Sequence, residues 1–393
     1  MNNKQNNLLY YFTFVVVLVS QFSTTQTLWV FFTKMGIALR LVSILLLLIL
    51  FVQSVTKYSG KQLISISILS VLFLVVAWNT GYYHGFLLCS TFVLVIGAKG
   101  VQFRNIVKFH LLIIVCLFLV NLLAYSMDWI DKSLIFTGDQ RENMFADDII
   151  VRFSGGYPAS TDLATHLLYM LLDVWILKRR ENNYWWYLLC MITFSFVAFY
   201  CDARQAALCV LLVLLFSLYS TSLFKGKKIN FLFKWILIYC VSIFFFVSLL
   251  STLLYDETDL LWVGTDILLS GRLHYGLDAI QEYGFSFFGQ DILFVGGGFS
   301  GGTLEYNYVD NAYVQFLLRW GWIVMAVFLM AYIQTCKNAL KNRDYVLLFA
   351  IFVAGASSLI TQFLFYLHYS VLILALCAIH SQMGITNKCV DKI

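Results

Sequence analysis

The chain is 393 residues long, 61% hydrophobic and 18% aromatic, with only 12% charged residues and a mean hydropathy of +0.82. Soluble domains carry about 25% charged residues, so half of the usual charge is missing. Runs of about 20 apolar residues, enough to cross a bilayer, recur along the chain. These figures exclude a soluble enzyme and, despite the net charge of +5, a nucleic-acid binder. Solidly apolar runs, where barrel strands would alternate, exclude a β-barrel. The expectation is an all-α polytopic membrane protein.

Taken in order, the apolar runs predict about twelve transmembrane helices, near 8–26, 37–54, 63–79, 82–98, 109–126, 161–177, 184–200, 203–221, 231–253, 309–332, 345–361 and 363–381. Lys34 and Arg40 interrupt the first two. The segment Met1 to Asn7 leads into the first run with no small-residue cleavage site, which predicts a retained span. No internal repeat is visible, and Pro158 lies outside every span. Cys89, Cys116, Cys190, Cys209, Cys240 and Cys377 sit inside apolar runs, where cysteine acts as a small hydrophobe. No CxxC or Cys/His metal spacing occurs. Neither metal nor cofactor is expected.

Orientation follows from the basic residues between spans. With both termini in the cytoplasm, every cytoplasmic segment carries Lys or Arg: Lys4; Lys57 and Lys61; Lys99, Arg104 and Lys108; Lys178 to Arg180; Lys225 to Lys228; Lys337 to Arg343; Lys388 and Lys392. The whole chain, 1–393, reads as one integral membrane domain. Two long extracytoplasmic loops result, about 127–160 and, between helices 9 and 10, about 254–308. The inner loops are short and no GxxxxGK[ST] motif occurs, so the chemistry is expected on the outer side.

The second loop and its flanks are strongly acidic, with Arg272 their lone basic residue. Such an arginine is either an ion-pair partner or an anion ligand whose rigid fork suits phosphate. Leu273, Leu277 and Ile280 at helical spacing, with Ser270 as N-cap, predict a short surface helix over 270–284. His274 and Asp278 would share one of its faces as a structural or a catalytic pair. Arg204 and, less directly, Arg152 stand at span mouths on the same side. Asp310-Asn311 closes the loop, as a general base or as a dipole-favoured helix start. The run Gly296 to Gly302 is a flexible loop or an anion nest. Asp173 and Arg319, both about 15–18 Å below the outer surface, are expected to form an ion pair.

The segments Cys201-Asp-Ala-Arg204-Gln-Ala-Ala, Ser270-Gly-Arg272 and Tyr308-Val-Asp310-Asn-Ala-Tyr-Val-Gln-Phe-Leu-Leu-Arg-Trp-Gly321 resemble Wzy-type polysaccharide polymerases of the O-antigen ligase superfamily. The resemblance implies a metal-independent membrane glycosyltransferase of the bacterial plasma membrane that joins undecaprenyl-pyrophosphate-linked oligosaccharide repeats outside the cell, alongside a flippase and a chain-length regulator. It implies that Arg272 and Arg204 hold the pyrophosphate and stabilise the leaving group. A base near the Asp-Asn motif, Asp310 or alternatively His274, activates the acceptor. Arg152, His274 and Asn311 complete the expected substrate-binding set. O-antigen ligases have histidine where this chain has Asp310, which leans toward polymerase over ligase.

A transporter or flippase is the main rival. Transporters show short loops on both sides, repeated halves and helices broken at mid-membrane; this chain shows long outer loops and one proline, in a loop. A membrane acyltransferase would use an intramembrane histidine such as His110, His166 or His368. A structural or regulatory membrane protein is the third reading.

Overall fold

A computed structural model describes residues 3–25, 33–130, 140–142, 149–178, 183–226, 228–294, 307–361 and 363–379. The predicted apolar runs become α1 (Asn3–Thr25), α2 (Thr33–Val55), α3 (Gly60–Asn79), α4 (Gly81–Gly97), α5 (Phe103–Ser126), α6 (Ser160–Lys178), α7 (Tyr184–Ser195), α8 (Arg204–Phe224) and α9 (Phe231–Leu253). Then come α10 (Leu260–Leu268), α11 (Arg272–Tyr283), α12 (Ala312–Lys341) and α13 (Tyr345–Ser357). A three-residue antiparallel pair, β1 (Gln140–Glu142) and β2 (Ile149–Val151), lies between α5 and α6.

Among the described residues, six helices are long and apolar enough to cross a membrane, and four more are shorter apolar helices. Helix is what such sequences must form in lipid, because no water is present to take up free backbone groups. The chain closes its helix starts with its few polar residues: Asn183, Asn230, Asp259, Asn311 and Asp344 each accept a hydrogen bond from a first-turn backbone N–H. The outer faces are correspondingly apolar. Ile64, Ile68, Val71 and Leu74 form an exposed stripe along α3, a surface that water would not tolerate at this extent. The architecture is that of a membrane-embedded helical protein.

Basic segments between helices lie close to one another at one end. There Lys57 Nζ donates to Lys99 O at 3.2 Å, Arg104 Nη2 to Leu177 O at 3.1 Å, and Phe224 packs on Tyr345. The opposite end carries Arg152, Arg204, α10, α11 and Asp310. The predicted 254–308 loop is therefore partly helical, and α11 packs on α9, with Gly276 against Thr252.

Two spans depart from expectation. Among the described residues of the run predicted as a helix over 363–381, the helical turns are 3₁₀, at Phe363–Phe365 and Leu372–Leu376. The run threads the bundle from the α13 end near Thr361 to the basic end, where Ile379 N donates to Val101 O and its carbonyl accepts from Phe103 N. Its residues are almost all buried, and non-helical backbone is tolerated at membrane depth only when protein surrounds it. The second departure is α12, broken at Gly321 (φ 79°, ψ 172°). The Phe316 and Phe328 rings lie 4.9 Å apart, whereas twelve residues of straight helix would separate them by about 18 Å. The first part of α12 thus folds back toward the second, and segment 286–290 fills the break. Gln290 N donates to Arg319 O at 2.9 Å and Trp322 N to Ser286 O at 3.1 Å, so the freed backbone groups are paired.

Candidate functional site

Arg272 opens α11, and three upstream residues hold it there. The buried Asp266 carboxylate accepts the backbone N–H of Leu273 at 2.8 Å and of His274 at 3.4 Å. It caps the helix from outside, and its negative charge sits at the positive end of the helix dipole. The chain reaches that position by a left-handed turn, Ser270 (φ 60°) and Gly271 (φ 79°). Gly271, rather than the expected Ser270, is the N-cap residue, because Ser270 is committed to the turn.

The guanidinium is tethered on three sides. Arg272 Nε donates to Ile360 O at 3.0 Å and Nη1 to Leu269 O at 2.7 Å. Nη2 lies 3.3 Å from Asp310 Oδ2. The ion pair and the fixed fork are thus both present. Two backbone carbonyls set the orientation, and the third side meets the carboxylate. Asp310 keeps 38% of its side-chain surface accessible against 17% for Arg272, so the carboxylate is the more open partner of the pair. The surrounding protein raises the Asp310 carboxyl above its ordinary value of 3.8, and the Arg272 charge offsets part of that rise.

Asn311, next in the chain, has its side-chain oxygen fully engaged. Its Oδ1 accepts from Tyr313 N at 3.0 Å, Val314 N at 3.3 Å and Ser248 Oγ at 2.8 Å, so it caps α12 and ties it to α9. The following N–H, of Ala312, is shared by the carbonyls of Ser358 and Thr361, each at 3.1 Å. Asp310 and Arg272 therefore rest on one platform, the 357–361 turn after α13.

His274 points away from the pair. Its Nδ1 lies 2.9 Å from Glu257 Oε1 and its Nε2 3.3 Å from Asp278 Oδ2. The pairing with Asp278 follows the expected helical spacing; the Glu257 contact was invisible in the sequence. Arg204 is well exposed, 3.9 Å from Asp202, whose other oxygen is 3.4 Å from Arg152. Asp202 thus gathers Arg152 and Arg204 at the mouth of α8. It is the neighbouring Gln205 that reaches the platform, donating to the Ser357 carbonyl. The glycine run 296–302 lies outside the described residues.

The expected Asp173–Arg319 ion pair does not form. Asp173 Oδ2 meets His110 Nδ1 at 2.5 Å between α6 and α5, while Arg319 bonds Gln315 and Tyr366. Arg319 lies in the part of α12 before the Gly321 break, which brings it to Tyr366 instead. Exchanging Asp173 and Arg319 will therefore not restore stability. Asp173→Ala alone leaves His110 without its acceptor, costing about 1–3 kcal/mol. In a double-mutant cycle followed by thermal unfolding in detergent, His110→Ala adds little to Asp173→Ala; strict additivity would disprove the coupling.

Residue types alone did not disclose the roles of Gln205, Ile360 or Tyr308. Tyr308 is crowded into the protein, which raises its hydroxyl well above the usual tyrosine value, and its ring lies 6.3 Å from that of Phe294. Chemically, the site offers a fixed cation beside an accessible carboxyl of raised pKa. Among the described residues no cluster of His, Cys, Asp or Glu suits a metal ion. No family model, no curated protein and no solved structure matches the chain.

Proposed function

We propose that the protein polymerises undecaprenyl-pyrophosphate-linked oligosaccharide repeats by glycosyl transfer at the end of the bundle remote from the basic loops. The observation that carries this reading is the Arg272–Asp310 pair, an anion-binding fork locked by two carbonyls beside an accessible base. Under the positive-inside rule the basic end is cytoplasmic, the site faces outward in a bacterial plasma membrane, and about twelve segments cross. Segment 361–379 is the last of them.

In this reading Arg272 and the exposed Arg204 bind the diphosphate of the donor. The acceptor hydroxyl attacks the anomeric carbon and the glycosidic bond forms. The bond from that carbon to the diphosphate breaks, and undecaprenyl diphosphate leaves with the electron pair. Asp310 takes the hydroxyl proton and later releases it to water. Arg272 stabilises the charge that gathers on the leaving group, the kind of contribution that dominates many active sites.

The base works in its deprotonated form, so the transfer rate falls as pH drops through the raised Asp310 pKa, with a midpoint above 3.8. Asp310→Asn removes this limb and slows transfer by about 10²–10⁴-fold. A pH–rate profile with the same acid limb in Asp310→Asn would remove Asp310 from the role. Linkage runs the other way. A carboxyl whose pKa is raised by folding favours the folded state when protonated, and that contribution is lost as pH rises through the raised pKa.

One observation favours a second reading, transport of the lipid-linked glycan. The α12 break at Gly321 and the non-helical buried segment 361–379 are features that transporters use at their sites. Reconstituted vesicles separate the two, since a flippase moves the lipid across the bilayer without lengthening its glycan.

A further inference from the structure

Arg319 has no role in the reading above, yet its side chain is buried among the helices. It is 6% exposed, and among the described residues no carboxylate forms an ion pair with it. A buried guanidinium without a counter-ion is costly, since the charge has left water and gained no opposite charge.

Its hydrogen bonds are all on one side. Nη1 donates to Gln315 Oε1 at 3.1 Å and to Tyr366 Oη at 3.2 Å, which uses both of its hydrogens. Gln315 cannot turn away, because its Nε2 donates to Val309 O at 3.0 Å. The Phe294 ring covers the guanidinium at 4.6 Å. Nε has no partner, and Nη2 carries none of the described bonds. The Nε–Nη2 edge, left over, presents the two parallel N–H groups that a carboxylate or phosphate takes bidentately.

We infer that Arg319 is the binding residue for the carboxylate of an acidic sugar within the lipid-linked glycan. The inference deepens the polymerase reading and rests on it for the sugar. One guanidinium balances one negative charge; a diphosphate would bring a surplus, and among the described residues no second arginine or lysine shares Arg319's hydrogen bonds to Gln315 and Tyr366. The Phe294 ring and the Tyr366 hydroxyl both meet the guanidinium, and each has a ring neighbour 6.3 Å away, Tyr308 for Phe294 and Trp320 for Tyr366. Such rings suit the C–H faces of a pyranose. Tyr308 stands two residues before Asp310 in the chain.

The test is binding, which needs no polymer and so is independent of the failure of the polymerase reading. Purified protein in lipid nanodiscs is titrated with methyl glucuronoside, methyl glucoside and inorganic diphosphate, followed by ligand-observed NMR. Wild type is expected to prefer the glucuronoside over the glucoside by at least tenfold. Arg319→Gln brings that ratio to about one. Arg319→Lys, which keeps the charge without the fork, recovers only part of it and serves if the glutamine variant fails to fold. No glucuronoside binding by the wild type overturns the inference. So does a preference unchanged in Arg319→Gln, or a loss confined to diphosphate, which would make Arg319 a ligand of the lipid carrier instead.

Discussion

Arg272→Ala will lower polymer formation by at least about 10²–10³-fold, the usual consequence of removing one charge-stabilising donor from an active site. Three functions leave with the side chain: the charge beside Asp310, the Nε bond to Ile360 O and the Nη1 bond to Leu269 O. The two carbonyl bonds, each from a charged donor, contribute about 3–6 kcal/mol to local stability, so the amount of variant in the membrane is measured beside its activity. The variant should remain in the membrane and run as a single species in detergent. Arg272→Lys is the informative companion. Lysine restores a positive charge but not three donors in one plane, so it cannot bind both carbonyls and still present a fixed N–H toward Asp310. Its activity should stay within about tenfold of the alanine variant. Full activity in Arg272→Lys would reduce the residue to a point charge, and normal polymer from Arg272→Ala would remove it from the site.

The largest structural effect is expected from Gly321→Ala. A Cβ at Gly321 would lie 2.6 Å from Gly289 N and from Phe287 O, both backbone atoms that cannot rotate aside. The residue also sits at φ +79°, which costs a non-glycine residue about 1–2 kcal/mol before any contact is counted. Segment 286–290 would have to leave the α12 break, and the bonds of Gln290, Trp322 and Ile323 would go with it. The total is about 4–5 kcal/mol, in the range reserved for loss of a packed backbone feature. Gly226→Ala provides the control: it has φ +98° and nothing within 4 Å of a built Cβ, so it loses only about 1–2 kcal/mol. Heating each variant in detergent and following the monodisperse fraction measures the difference. Equal losses would mean that the close approach at Gly321 is not what holds the break.

Helix existence was legible from the sequence because apolar runs in a bilayer have few alternatives. The last run, 363–381, looked no different, since hydropathy records burial and says nothing of backbone conformation once protein surrounds the segment. The α12 break was marked only by Gly321 between two tryptophans, and an isolated glycine inside a helical pattern is usually tolerated. Arg272 and Asp310 were each identified by residue type and place, the first as a lone cation in acidic surroundings and the second at a helix start. That they meet is a tertiary fact, made by the 357–361 turn. Asn311 shows the opposite case, a polar residue at a site mouth whose every acceptor contact is spent on capping and on Ser248. Arg319 was expected to pair with Asp173 and instead bonds Gln315 and Tyr366, because direction around a broken helix cannot be counted in residues.

The most direct measurement of the central claim is extension of a pyrophosphate-linked repeat unit by the purified protein in lipid, with native repeat unit from the host and products resolved on a gel. A ladder of lengths from the wild-type protein, absent with Arg272→Ala, is the predicted result. An unextended native repeat unit that nevertheless crosses the bilayer would contradict it and give the protein to transport.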